Sequence, residues 1–232
     1  MIIFTDIHGN FLTFKALLDK IPQEEKDKGI VVAGDLIDRG PRSREVVQYM
    51  IDNKIPCVKG NHEIMMYEDQ PYWMENGGTQ CLMSYGWTRV PTMYGGGAYF
   101  GSADPELKKI FEQHKEWMKQ LPLYLEYPDL KKDDGRYLVV SHSSINSVWK
   151  HKDKFDQDER YTGTIVWGRP GTIRDVPEIY NVFGHTPCEN GPKIKVPFAN
   201  IDTGCFYKQK GYGVLTALQF PEMILYTQEN ID

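Results

Sequence analysis

The first ten residues, Met1-Ile2-Ile3-Phe4-Thr5-Asp6-Ile7-His8-Gly9-Asn10, place a carboxylate and an imidazole immediately behind a short apolar run. Ile2 to Thr5 reads as a buried strand. Residues two apart in extended backbone point to the same side, so Asp6 and His8 can converge on one point beyond the strand end. The arrangement recurs downstream. Ile30 to Ala33 precedes Gly34-Asp35-Leu36-Ile37-Asp38-Arg39-Gly40, and Pro56 to Lys59 precedes Gly60-Asn61-His62-Glu63. Tyr137 to Ser141 runs into His142-Ser143, and Tyr180 to Phe183 into Gly184-His185-Thr186-Pro187. Five predicted strands thus end in imidazole, carboxylate or amide groups, and in open α/β sheets such ends face the ligand crevice.

Between these strands lie helical patterns. Phe11, Phe14, Leu17, Leu18 and Ile21 share one face, as do Val46, Val47, Met50 and Ile51. Pro105 to Leu121 has Leu107, Ile110, Phe111, Trp117, Met118 and Leu121 on one side, with Lys108, Lys109, Lys115 and Lys119 as its solvated face. The alternation predicts an α/β fold. Phe198 to Ile201, Val214 to Phe220 and Met223 to Thr227 read as strands, the last two joined at Pro221-Glu222, and are expected to form an antiparallel meander. Tyr94-Gly95-Gly96-Gly97 reads as a short loop. With no repeat, low-complexity tract or linker, residues 1–232 are expected to form a single domain.

Composition removes several classes of function. A charged fraction of 25% and a hydrophobic fraction of 41% are those of a soluble globular protein, and no apolar run is long enough to span a bilayer. The net charge of -5 opposes broad attraction to nucleic acid or anionic lipid, so neither is an expected partner. The N-terminal apolar run is too short for a signal peptide, and Cys57, Cys81, Cys188 and Cys205 lie far apart with no CxxC pair. Reduced thiols and a cytoplasmic location follow as expectations.

Four of the six histidines (His8, His62, His142 and His185) stand at the predicted strand ends. One such histidine is ordinarily just a polar core or surface residue; four together with Asp6, Asp35 and Asn61 point to a metal centre. The mixture of imidazole, carboxylate and amide oxygen suits manganese, iron or zinc better than magnesium or calcium. Two cations held roughly 3.5 to 4 Å apart need a bridging carboxylate, for which Asp35 is the candidate.

These motifs resemble those of the phosphoprotein phosphatase family, within the calcineurin-like metallophosphoesterases. The chain is most similar to the compact bacterial and phage serine/threonine phosphatases of the bacteriophage lambda phosphatase kind, and to the related diadenosine tetraphosphate hydrolases. The resemblance implies a central β-sandwich of mixed sheets flanked by helices. It implies two divalent metal ions, manganese foremost, with Asp6, His8 and Asp35 on one and Asp35, Asn61, His142 and His185 on the other. His62, oriented by Asp38, would be the general acid; Arg39 and Arg169, the latter within Trp167-Gly168-Arg169, would bind phosphate. The implied reaction is in-line attack on phosphorus by a hydroxide held between the metals. A phosphorylated serine or threonine protein, or a small phosphoester, is the expected substrate, with a dinucleoside polyphosphate such as diadenosine tetraphosphate as the alternative. Thr5 and Ser143-Ser144 depart from the family pattern without removing a ligand. Asp202-Thr203-Gly204 follows a predicted strand and could reach the edge of the site, but reads as a turn; Tyr72, Trp73, Met74 and Tyr85 could form a wall facing the substrate, but read as packing.

Overall fold

Strand β1 (Ile2–Phe4) leads into helix α1 (Phe11–Lys20) and the short α2 (Gln23–Lys26); β2 (Ile30–Val32) leads into α3 (Ser43–Asp52). Next come α4 (Asn61–Tyr67), a 3-10 turn at Met74–Asn76, α5 (Gly78–Ser84), the antiparallel pair β3 (Arg89–Pro91) and β4 (Ala98–Phe100), and the long α6 (Pro105–Lys119). Strands β5 (Tyr124–Lys131) and β6 (Tyr137–Ser141) precede α7 (Glu159–Trp167), and β7 (Ile179–Phe183), β8 (Lys193–Ile194), β9 (Phe198–Asn200), β10 (Val214–Gln219) and β11 (Ile224–Glu229) follow. The computed structural model describes residues 1–91, 98–101, 103–169, 171 and 173–232, leaving aside the side chains of 89–91, 98–100 and 156. The expected loop Tyr94 to Gly97 lies outside the described residues.

Two mixed sheets form the centre, one in the order β11-β10-β1-β2 and the other β5-β6-β7-β9-β8. The period-2 alternation of the strands explains how they stack. Ile3 and Val31 of the first sheet pack with Leu138, Val140, Tyr180 and Val182 of the second, forming the layer between them. The neighbours Ile2, Phe4 and Val32 face the other way, onto Phe14, Leu17, Val46 and Met50 of α1 and α3. On the outer side of the second sheet, Val139 and Ile179 pack against Trp149, Phe155, Ile165 and Val166. The architecture is therefore an α/β sandwich flanked by helices, as expected.

Two details differ from the sequence reading. Pro56 to Lys59 contributes only an isolated parallel bridge, Cys57 to Val32, because the chain turns straight into α4. The C-terminal strands do not form one meander: β9 pairs parallel with β7 in the second sheet, whereas β10 runs antiparallel to β1 in the first. Only β10 and β11 form the expected antiparallel pair. All four cysteines are buried free thiols. Among the described residues, no helix is long and apolar enough to cross a membrane.

Candidate metal centre

Parallel pairing of β1 with β2, of β6 with β7 and of β7 with β9 brings the C-terminal ends of these strands to one edge of the sandwich. There the chain bends sharply. Asp6, His8, Asp35, Asp38, Arg39 and His185 all have positive φ, from 46° at His8 to 71° at Asp38. Such conformations cost about 1–3 kcal/mol for residues other than glycine and persist where the surroundings enforce them. Here the loops interlock. Asp6 N–H donates to Gly34 O at 3.2 Å, His8 N–H to Asp35 O at 2.9 Å and Gly184 N–H to His142 O at 2.9 Å. A Cβ added at Gly60 would collide with the Asp35 carboxylate, and one at Gly184 with that of Asp6. Glycine is needed there because the acids lie directly against the backbone.

Asp35 is the centre of the cluster. Its carboxylate lies 3.5 Å from His8 Nε2, 3.9 Å from His62 Nε2 and 3.3 Å from His142 Nε2. Ligand atoms of His8, Asp35 and His62, and of Asp35, His142 and His185, lie within 4.8 Å of one another, with Asp35 common to both sets. Asp6 Oδ1 lies 3.8 Å from His8 Nε2, while Asp6 Oδ2 accepts from the Thr5 hydroxyl and from His185 N–H at 3.0 Å. Asn61 Oδ1 is 3.0 Å from His142 Nε2. All six residues expected as ligands are therefore brought together, and geometry also admits His62.

The donor atoms suit divalent cations. His8 Nδ1–H donates to Ile37 O and His142 Nδ1–H to Ala33 O, both at 2.9 Å, which turns each Nε2 into the cluster. His185 Nε2 is buried with no hydrogen-bond partner among the described residues, a costly state that a cation would relieve. Charge crowding is evident too. Burial and the neighbouring Asp35 charge push the Asp6 carboxyl up to about 6, although His142 opposes them. Burial and the adjacent His142 hold His185 down to about 3. Burial disfavours charging His142, yet Asp35 lifts it to about 10. Cations bound among these groups would offset the crowded carboxylate charge.

His62 is distinct. Its Nδ1–H donates to Asp38 Oδ2 at 2.6 Å, and Trp73 Nε1–H donates to the same carboxylate at 3.0 Å. Burial disfavours the imidazolium, but the charges of Asp35 and Asp38 outweigh it and raise the His62 pKa. That pairing holds the proton on the imidazole, the form a general acid would need. Arg39 donates from Nη1 to His8 Nε2 at 2.8 Å, and its guanidinium lies 4.7 Å from the centre of the Phe206 ring. Arg169 is exposed, and its charge is near enough to His185 to lower that residue's pKa.

The structure adds three residues. Glu63, quoted in the motif without a role, accepts from the N–H groups of Asp35 at 3.0 Å, Leu36 at 2.8 Å and Gly60 at 2.7 Å, fastening two loops together. Its position three residues after Gly60, at the start of α4, was the available signal. Asp202, read as a turn residue, does accept from Gly204 N–H at 2.8 Å, but it is also buried near enough to Asp6 to sense its charge. Phe206 carried no sequence signal. Trp73 and Tyr85 are buried as expected, whereas Tyr72 is exposed.

Residues 1–189 match the family model of the calcineurin-like phosphoesterases. The chain belongs to that family. This phosphoesterase is 30% identical to bis(5'-nucleosyl)-tetraphosphatase PrpE [asymmetrical] of Halalkalibacterium halodurans, an alignment covering 95% of the chain and 90% of the relative. The protein of the same description from Bacillus subtilis is also 30% identical, covering 95% and 91%. Among solved structures, the phosphoesterase resembles a candidate diadenosine tetraphosphatase at a TM-score of 0.65 and 20% identity, covering 100% of the chain and 93% of its counterpart. It also resembles a serine/threonine phosphatase from Saccharomyces cerevisiae at a TM-score of 0.60 and 15% identity, covering 100% and 80%. At those identities the structural likenesses speak for the fold. The protein is thus a metal-dependent hydrolase of the metallophosphoesterase class.

Proposed function

We propose that this phosphoesterase hydrolyses dinucleoside polyphosphates of the diadenosine tetraphosphate type, with the alternative substrate taking precedence over the phosphoprotein expected first. The observation that carries this reading is the 30% identity to asymmetrical tetraphosphatases along 95% of the chain. The site is compatible with a chain of phosphates: Arg39 stands beside His8, and Arg169 lies near His185. Two guanidiniums so placed suit a polyanion that crosses the centre.

Asp6, His8 and Asp35 would hold one divalent cation and Asp35, Asn61, His142 and His185 the other, with manganese the proposed metal and iron or zinc consistent with the same donors. When bound, such cations supply Lewis acidity towards the phosphoryl oxygens and the attacking water. Arg39 and Arg169 bind and orient the non-bridging oxygens. His62, oriented by Asp38, delivers its Nε2 proton to the departing oxygen, and Trp73 fixes the Asp38 carboxylate behind it. Glu63 keeps the Asp35 and Gly60 loops in register.

Purified protein with manganese should be offered diadenosine tetraphosphate and a phosphoserine peptide in parallel. The reading expects kcat/KM for the nucleotide to exceed that for the peptide by orders of magnitude. The reverse preference would restore the protein phosphatase.

A further inference from the structure

Trp167 and Tyr72 are both solvent-exposed, at 38% and 44%, although large aromatic side chains usually find cover. Their rings lie edge to face with centroids 6.3 Å apart, and the Trp167 ring stands 6.5 Å from that of His185. Of the five tryptophans, at positions 73, 87, 117, 149 and 167, only Trp167 is exposed. Neither ring belongs to a core cluster.

The segments carrying these rings are firmly held. Trp167 ends α7, whose preceding residues Ile165 and Val166 are buried. The Ser143 N–H donates to Ile165 O at 2.8 Å and the Ser143 hydroxyl to Gly168 O, tying the helix end to the loop that carries His142. A Cβ at Gly168 would strike Thr164 O, so a side chain would displace this turn. On the facing side, the next residue after Tyr72 is Trp73, which is buried and bonded to Asp38. Arg169 follows Trp167 by two residues and places a cation at the same rim.

We propose that Trp167, with Tyr72 at its edge, is a stacking platform for a nucleobase of the substrate. The proposal rests on the dinucleotide reading and adds to it the place where one nucleoside sits. An exposed indole offers a broad π-face to any base, and the adjacent guanidinium provides for the attached phosphate. A platform of this kind makes no hydrogen bonds to base edges, so it is tolerant of base identity. The phosphates would lie over the histidine cluster while one base leaves it past His185.

The test uses binding and kinetics together. In chelator-treated protein, AMP is expected to quench the fluorescence of the exposed Trp167 saturably, and ribose 5-phosphate, which lacks the base, is not. Trp167→Phe should abolish the quenching while keeping a stacking ring. With manganese, Trp167→Ala should raise KM for diadenosine tetraphosphate about tenfold and leave kcat within about twofold, and Trp167→Phe should recover most of the loss. Absence of AMP quenching, or equal quenching by ribose 5-phosphate, would overturn the platform, as would an unchanged KM in Trp167→Ala. If the wild-type enzyme fails to cleave diadenosine tetraphosphate, the dinucleotide reading falls, and base-dependent quenching still decides whether Trp167 binds a nucleobase.

Discussion

Asp35 joins two demands in one residue: a left-handed backbone at φ 51° and a carboxylate shared by two sets of ligand atoms. Asparagine tolerates that backbone nearly as well as aspartate, so Asp35→Asn should fold normally while losing the bridging charge. The expected result is an unchanged circular dichroism spectrum with manganese-supported turnover abolished; retained turnover would remove Asp35 from the centre. His62 allows a finer test. A polyphosphate leaving group departs readily without a proton, whereas the alkoxide of a phosphoserine peptide does not. His62→Asn should therefore cost about 10² to 10⁴ in kcat on an alkyl phosphate ester and much less on diadenosine tetraphosphate. Equal losses on both substrates, measured at saturation, would contradict a general-acid role. These residues are legible in the sequence because each follows a short apolar run and sits among glycines. Phe206 and the exposed state of Tyr72 are not legible, since they depend on which distant loops meet at the strand ends.

At the scale of elements, α6 is held to the rest of the molecule by a buried imidazole. The Tyr85 hydroxyl pairs with His114 Nδ1 at 2.8 Å, and His114 Nε2–H donates to Gln48 Oε1 of α3 at 3.1 Å, an arrangement that the neutral ring completes. Burial, aided by the charge of Arg44, lowers the His114 pKa to about 4 from an ordinary value of 6.5. Between those values the unfolded chain binds more protons than the folded one, so this contribution to stability is intact above pH 6.5 and fades as pH falls towards 4. Urea midpoints measured at pH 7 and pH 5 should fall further in the wild type than in His114→Gln, and equal falls would show that His114 is not the acid-sensitive tie. The amphipathic pattern predicts α6 well, ending at Lys119 rather than Leu121. Pattern does not reveal that β9 joins the second sheet and β10 the first, because strand partners are chosen by contacts remote in sequence.

For the whole molecule, the sandwich matters because it delivers the proposed ligands from both sheets to one edge. Asp6, His8 and Asp35 follow strands of the first sheet; His142 and His185 follow strands of the second. The packed layer of Ile3, Val31, Val140 and Val182 holds those strand ends together, while α4 brings Asn61 and His62 and, through Glu63, braces the Asp35 loop. The proposed metal centre would thus be a consequence of how two sheets stack, and its two halves should be inseparable. Anomalous diffraction from crystals grown with manganese tests this most directly. The account predicts two manganese peaks flanking the Asp35 carboxylate, one beside Asp6 and His8 and the other among Asn61, His142 and His185. A single peak, or peaks away from Asp35, would contradict it.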